Sequence, residues 1–312
     1  MPPSNSQARI PSGDSQFRLS FPQLKVCLLD YYGLRKGEKG NLIMIGEKIN
    51  GTIPRVKEAI ATRNESFISE LALKQGEAGA DYIDVCAGTA PEQEVETLEW
   101  LIHSVQKATD TPLCIDSPNP RAIEAVFNYV KRPGLINSVS LEGDKCEVVF
   151  PLIQGTSWQA VALTCDNEGI PKDVQSRVNI AQKLVEKAQA FGVTPDRIHM
   201  DPLVIALSAD NQSLLNFAEA TRKIKALYPD IKVTSGLSNI SFGMPLRKII
   251  NQNFLALAMF AGMNSAILDP LNRELMATIL AVEALLGQDR HCRNFANAYR
   301  KKRIGPVKTA AG

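Results

Sequence analysis

One short design recurs along this chain and limits what it can become. A brief apolar run closes on a polar residue, a loop follows, and a stretch with apolar residues at helical spacing comes next. The runs are Leu42–Glu47, Tyr82–Cys86, Leu113–Asp116, Leu135–Ser138, Val161–Thr164, Ile198–Asp201, Ile231–Ser235 and Ala266–Asp269. Short apolar runs alternating with amphipathic helices read as parallel strands with helical crossovers. The helical stretches are plain: Phe67, Ile68, Leu71 and Ala72 before Gly79; Val95, Leu98, Leu101, Ile102 and Val105; Val178, Ala181, Leu184, Val185 and Ala188 before Gly192. Pro245 sits where it would open the seventh helix from the favoured first-turn position, with Gly262 as its stop.

Strand-helix units of this number, over about 245 residues, match a closed (β/α)8 barrel of the TIM type. An open, doubly wound sheet shares the alternation. Its dinucleotide-binding form wants G-x-G-x-x-G after the first strand, and Gly46-Glu47-Lys48-Ile49-Asn50-Gly51 is not that. The expected fold is therefore α/β, a closed barrel over residues 42–303. Residues 1–41, rich in Ser, Pro, Gln and Arg, read as a disordered or loosely docked arm with one strand-like run, Lys25–Leu29. A sharper reading takes Arg35-Lys36-Gly37-Glu38-Lys39-Gly40 as a translated purine-rich ribosome-binding site, with synthesis starting near Leu42 or Met44. Residues 304–312 form a tail.

A formal net charge of +2 argues against a nucleic-acid footprint, and Arg300-Lys301-Lys302-Arg303 reads as a solvated cluster. The six cysteines form no CxxC pair and no zinc spacing, and no apolar stretch reaches spanning length. A cytoplasmic protein is expected.

In a barrel of this kind the carboxyl ends of the strands form the active face. That places Glu47, Asn50, Asp84, Asp116, Asn137, Thr164, Asp201, Ser238, Asn239 and Asp269 around one mouth, with Arg247 facing it from the seventh helix. Singly, each reads equally well as structure: Asp201-Pro202 and Asp269-Pro270 start turns, and Asp116 precedes Ser117-Pro118-Asn119-Pro120. As a set they point to function, because burying several carboxylates together without donors is costly. No metal motif is present, and His103, His199 and His291 are scattered: His103 on a helix surface, His199 within a strand as a packing residue. Carboxylates and carboxamides complement a ligand edge rich in N–H donors. A pterin presents such an edge.

Six segments in order resemble the pterin-binding corrinoid methyltransferases: Gly46–Asn50, Leu113–Ser117, Ile136–Ser138, Gly169–Pro171, Asp201–Leu203 and Gly236–Ser241. The similarity runs over residues 42–303, and residues 1–41 have no counterpart. It is strongest to the methyltetrahydrofolate:corrinoid/iron-sulfur protein methyltransferases and to the tetrahydrofolate methyltransferases of betaine or methylamine demethylation. The resemblance implies that Asp116, Asn137 and Asp201 hold the pterin ring. It further implies that Asn239 hydrogen-bonds N5, the methyl-carrying atom, and that Ser238 and Arg247 line the pocket, with Glu47, Asn50 and Asp84 as further members. One departure is that an Asn is expected near the Cys86 position.

The same resemblance implies methyl transfer between N5 of tetrahydrofolate and the cobalt of a corrinoid. No Asp-x-His-x-x-Gly cobalamin loop occurs in the chain, so the corrinoid comes from a separate partner protein. A homodimer is implied as well. Two other readings stand beside it: a dihydropteroate synthase-like enzyme, whose Ser-Arg-Lys-type phosphate segment is not found here, and a non-catalytic folate-binding module.

Overall fold

The computed structural model describes residues 41–306. Expectations placed on the N-terminal arm and on residues 307–312 lie outside the described residues. The order of elements is β1 (Ile43–Asn50), α1 (Pro54–Ala61), α2 (Glu65–Glu77), β2 (Tyr82–Cys86), α3 (Pro91–Ala108), β3 (Leu113–Asp116), α4 (Pro120–Val126) and β4 (Leu135–Leu141). Next come α5 (Lys145–Ile153), β5 (Gln159–Asp166), α6 (Val174–Ala190), β6 (Ile198–Asp201), α7 (Ser213–Leu227) and β7 (Lys232–Val233). The remainder is α8 (Arg247–Ala261), β8 (Ser265–Leu268), α9 (Arg273–Leu285) and α10 (Arg293–Arg300).

The strands pair in parallel in the order β7-β6-β5-β4-β3-β2-β1-β8. The two ends of that order meet. Ile267 N–H donates to Ser235 O at 3.0 Å, Gly236 bridges Ile267, and Val233 N–H donates to the Asn264 side chain at 2.8 Å. The cylinder is therefore closed, and the open-sheet alternative falls. β4 and β5 run further than the apolar runs suggested, with register shifts on either side of Val139, and stay paired out to Leu141 and Asp166.

The seventh helix is a correction. Pro245 does not open it: α8 begins at Arg247, after Leu246 caps it in the left-handed conformation at φ 52°. The chain leaves β7 through a 3-10 turn, Leu237–Ser241, and its direction reverses at Leu246 before helical hydrogen bonding can start.

Alternating strand residues face outward and inward. The outward set packs on the helices, with Ile68, Leu98, Leu101, Leu184 and Phe217 fully buried between the layers. Inside the cylinder, Ile45, Cys114, Leu135 and Val161 form a fully buried layer. One inward position nearer the strands' amino ends lies a hydrogen-bonded polar chain. Gln159 Nε2 donates to Tyr82 Oη at 2.9 Å, so the Gln159 oxygen faces His199 Nε2 at 2.9 Å and that nitrogen carries the proton. Ser265 Oγ then donates to His199 Nδ1 at 2.8 Å. Burial lowers the His199 pKa to about 3, which keeps it neutral. His199 is thus a packing residue, as expected, and His103 lies exposed on α3 against Glu99 O. Among the described residues no helix is long and apolar enough to cross a membrane.

Candidate functional site

The carboxyl ends of β1 to β4 carry one row of polar groups. Asn50, Cys86, Asp116 and Asn137 are register partners across these strands, and Asp84 lies one inward step deeper. Asn137 Nδ2 donates to Asp84 Oδ1 at 3.3 Å, and the Cys114 thiol also bonds Asp84. Asp116 accepts from the Cys86 thiol and from Asp84. Burial, and then the Asp116 charge, raise Asp84 well above the carboxylate range, while burial lifts Asp116 to about 6. Two adjoining buried carboxyls cannot both ionise. Of the two, Asp84 is raised the further, so it favours the protonated, donating form and leaves Asp116 the better placed to ionise.

A second cluster lies at β1, β8 and α8. Burial pushes Glu47 to about 7, the Asp269 charge adds to this, and Lys48 and Arg247 temper it. Lys48 Nζ pairs with Asp269 at 3.1 Å. The Glu47 charge also reaches Asp84, which joins the two clusters.

Asp201, at the end of β6, is raised to about 7 by burial, opposed by the Leu203 and Gly236 backbone N–H groups and by the Arg177 charge. The Leu203 N–H donates to its carboxylate at 2.8 Å. Leu203 itself sits at φ 65°, a conformation that a bulky side chain rarely adopts. Fully buried Arg177 on α6 holds that strained turn through Pro202 O at 3.1 Å and Leu203 O at 2.7 Å, with Nε on Pro171 O at 3.0 Å.

Asn239 lies in the 3-10 turn, exposed, its backbone N–H donating to Gly236 O at 3.2 Å. Its amide nitrogen stands 2.8 Å from where a Cβ on residue 236 would be, so a larger residue there would displace it. Arg247 grips the same turn, with Nη2 on Ser238 O at 2.9 Å and Nε on Ser241 Oγ at 3.1 Å.

Each expected site residue now has a place. Asp84, Asp116 and Asn137 form one hydrogen-bonded group. Glu47 joins it electrostatically and feels Arg247, which in turn holds Ser238. Asp201 is tied to Gly236, whose carbonyl receives Asn239. Asn50 serves the rim loop, since its Oδ1 accepts the Thr52 N–H at 2.9 Å and hydroxyl at 2.7 Å. Next to it Gly51 has no substitute, because a Cβ would stand 1.8 Å from Ala87 O.

Thr164 does not face the mouth. Leu163 packs inside the barrel, so alternation turns Thr164 toward the helices, where its buried hydroxyl finds no partner among the described residues. The turn-forming readings hold at Asp201 and Asp269, which accept the N–H two residues on, Leu271 N at 2.9 Å in the second case. They fail at Asp116, because Ser117 and Asn119 hold the following turn.

Sequence reasoning passed over Arg177 and the two thiol–carboxyl contacts. Arg177 carried a signal: it falls on the apolar stripe of Ala181, Leu184 and Ala188, where a cation needs a buried acceptor.

Comparison with known proteins gives the family. Residues 49–269 match the family described as pterin binding enzyme. The chain is 54% identical over 268 residues to the methylcorrinoid:tetrahydrofolate methyltransferase of Eubacterium limosum, covering 85% of this chain and 99% of that protein. It is 28% identical over 261 residues to methionine synthase of Mycobacterium tuberculosis, covering 78% of this chain and 22% of that longer protein. In fold it is similar to dihydropteroate synthase of Coxiella burnetii in complex with pteroic acid, with TM-score 0.61 at 16% identity over 80% of this chain and 94% of that one. The enzyme from Thermus thermophilus gives TM-score 0.59 at 20% identity over 81% and 97%. A closed barrel with acids and amides at one rim, matched over most of its length, makes the chain a member of the pterin-binding enzyme family.

Proposed function

We propose that this protein is a methyltransferase that moves a methyl group between the cobalt of a separate corrinoid protein and N5 of tetrahydrofolate. The observation that carries this is the 54% identity to a methylcorrinoid:tetrahydrofolate methyltransferase over 99% of that protein's length. The lining fits the substrate. Asp84, Asp116 and Asp201 are buried acids whose anionic forms are disfavoured by burial. A ligand that brings N–H donors to them offsets that penalty. Likeness to dihydropteroate synthases at 16% and 20% identity speaks for the fold alone.

In-line attack by N5 on the methyl carbon would form the N–C bond as the Co–C bond breaks, with the electron pair staying on the cobalt of the partner's corrinoid and the N5 proton passing to solvent. The chain's own residues do the rest. Asp116 accepts from the amine edge of the pterin, with Asp84 and Asn137 bracing it. Asp201, whose Oδ1 is already taken by Leu203, turns its remaining acceptor capacity to the ring. Asn239 supplies a carboxamide that can donate or accept, so its bond to N5 strengthens as charge develops there. That is stabilisation of the transition state without an ionisable group. Ser238 and Arg247 keep this turn in place, and Glu47 and Asn50 complete the rim.

We also propose that the protein pairs as a homodimer. Leu246, just ahead of α8, and Ile249 and Leu257 on it are 75%, 54% and 50% exposed, apolar surface that a second copy would cover. Analytical ultracentrifugation at micromolar concentration checks this, and a monomer would refute it.

For the reaction, mixing the protein with methylcob(III)alamin and tetrahydrofolate should demethylate the corrinoid, read from its visible spectrum. Tight tetrahydrofolate binding with an unchanged spectrum would instead favour a folate-binding module.

A further inference from the structure

The mouth contains thiol–carboxyl contacts that the mechanism above leaves unused. Cys86 and Asp116 are register partners on β2 and β3, and Cys114 stands beside Asp84 in the same register. The Cys86 side chain is partly accessible at the rim, whereas Cys114 is fully buried in the layer below. Around Asp116 the charged or titratable groups are Asp84 and Cys86 on β2, Cys114 on its own strand, and Glu94 on α3. Glu94 is itself occupied by Ser117 Oγ at 2.7 Å. The cations Lys48 and Arg247 act on Glu47 instead. Among the described residues, the side chains that favour the anionic form of Asp116 by hydrogen bonding are the Cys86 thiol and Asp84.

We propose that Cys86 is a positioning residue for pterin recognition: its thiol donates to Asp116 and holds that carboxylate, as an anion, toward the N–H edge of the ligand. This rests on the pterin-binding reading given above. Burial keeps the thiol protonated, so it remains a donor throughout the working pH range. A thiol is a weak donor, a hydroxyl a stronger one, and a methyl none. The three side chains thus grade the support given to Asp116 with little change in volume.

The test is tetrahydrofolate affinity, measured anaerobically by titration from pH 5.5 to 8.5, for the wild type, Cys86→Ala and Cys86→Ser. Without the thiol, Asp116 ionises at higher pH. Cys86→Ala should then bind about threefold to tenfold more weakly at pH 6 and converge on the wild type at pH 8.5. Cys86→Ser should move the midpoint the other way. Thermal melts of both variants at each pH separate this from a loss of folded protein. A constant offset at every pH, or no change in either variant, overturns the inference. Should the wild type itself fail to bind tetrahydrofolate, the functional reading falls and takes this one with it.

Discussion

Glu47→Gln should make the protein more stable, and by an amount that depends on pH. Glu47 is held near the mouth with its pKa moved from 4.5 to about 7 by burial and by Asp269. Because the folded-state value lies above the unfolded one, the native state binds this proton more tightly. The contribution to stability is fully present below pH 4.5 and is lost as pH rises through 7. At about 1.4 kcal/mol per unit, the loss is about 3 kcal/mol by pH 8. Glutamine has the shape of the neutral acid and does not titrate, so the two proteins should match near pH 4.5. At pH 8 the variant should melt about 6 to 12 °C higher, on the scale of a domain of this size. Differential scanning calorimetry of both proteins from pH 4.5 to 8.5 measures the gap, with every other titrating group common to both. A gap that stays constant with pH, or that favours the wild type at pH 8, would refute the argument. A carboxylate kept where it weakens the fold is what a binding or catalytic role at this rim would require.

Other outcomes follow from the same geometry. Asn239→Ala should lower methyl transfer by about 10²-fold, and it should leave the melting temperature unchanged because the exposed amide bonds nothing among the described residues; near-normal turnover would discredit its role. Asp116→Asn should weaken tetrahydrofolate binding more than it slows turnover at saturation, and equal affinity by titration would count against the carboxylate fork. Thr164→Val replaces a buried hydroxyl that has no partner, so stability should rise by about 1 kcal/mol with activity unaffected; a loss of stability would mean that the hydroxyl is satisfied by water.

The strand-helix rhythm and the polar strand ends were legible because both are local patterns: an apolar run such as Leu113–Ile115 needs only its own residues to declare itself. Closure was legible only through the number of units, since alternation alone does not show it and the contact that seals the cylinder, Ile267 to Ser235, joins the chain's two ends. Pro245 misled because a proline marks a helix start only when the next residues enter the helix directly, and Leu246 does not. Thr164 was misplaced by counting strand ends where inward-outward alternation decides the direction. Conversely, Asp116 beside Cys86 is a contact between neighbouring strands, set by register. No pattern within either strand announces it, nor does the cis bond between Asn137 and Ser138 leave a mark in the sequence.

The fully buried layer of Ile45, Cys114, Leu135 and Val161 plugs the cylinder beneath the acids. On the function proposed above, a flat ligand resting on that plug would share one doorway with the cobalt that approaches its nitrogen. Folate should then be seated before the corrinoid protein lands and be exchanged only after it lifts off. Steady-state kinetics should show a fixed sequence, with the visiting protein last on and first off.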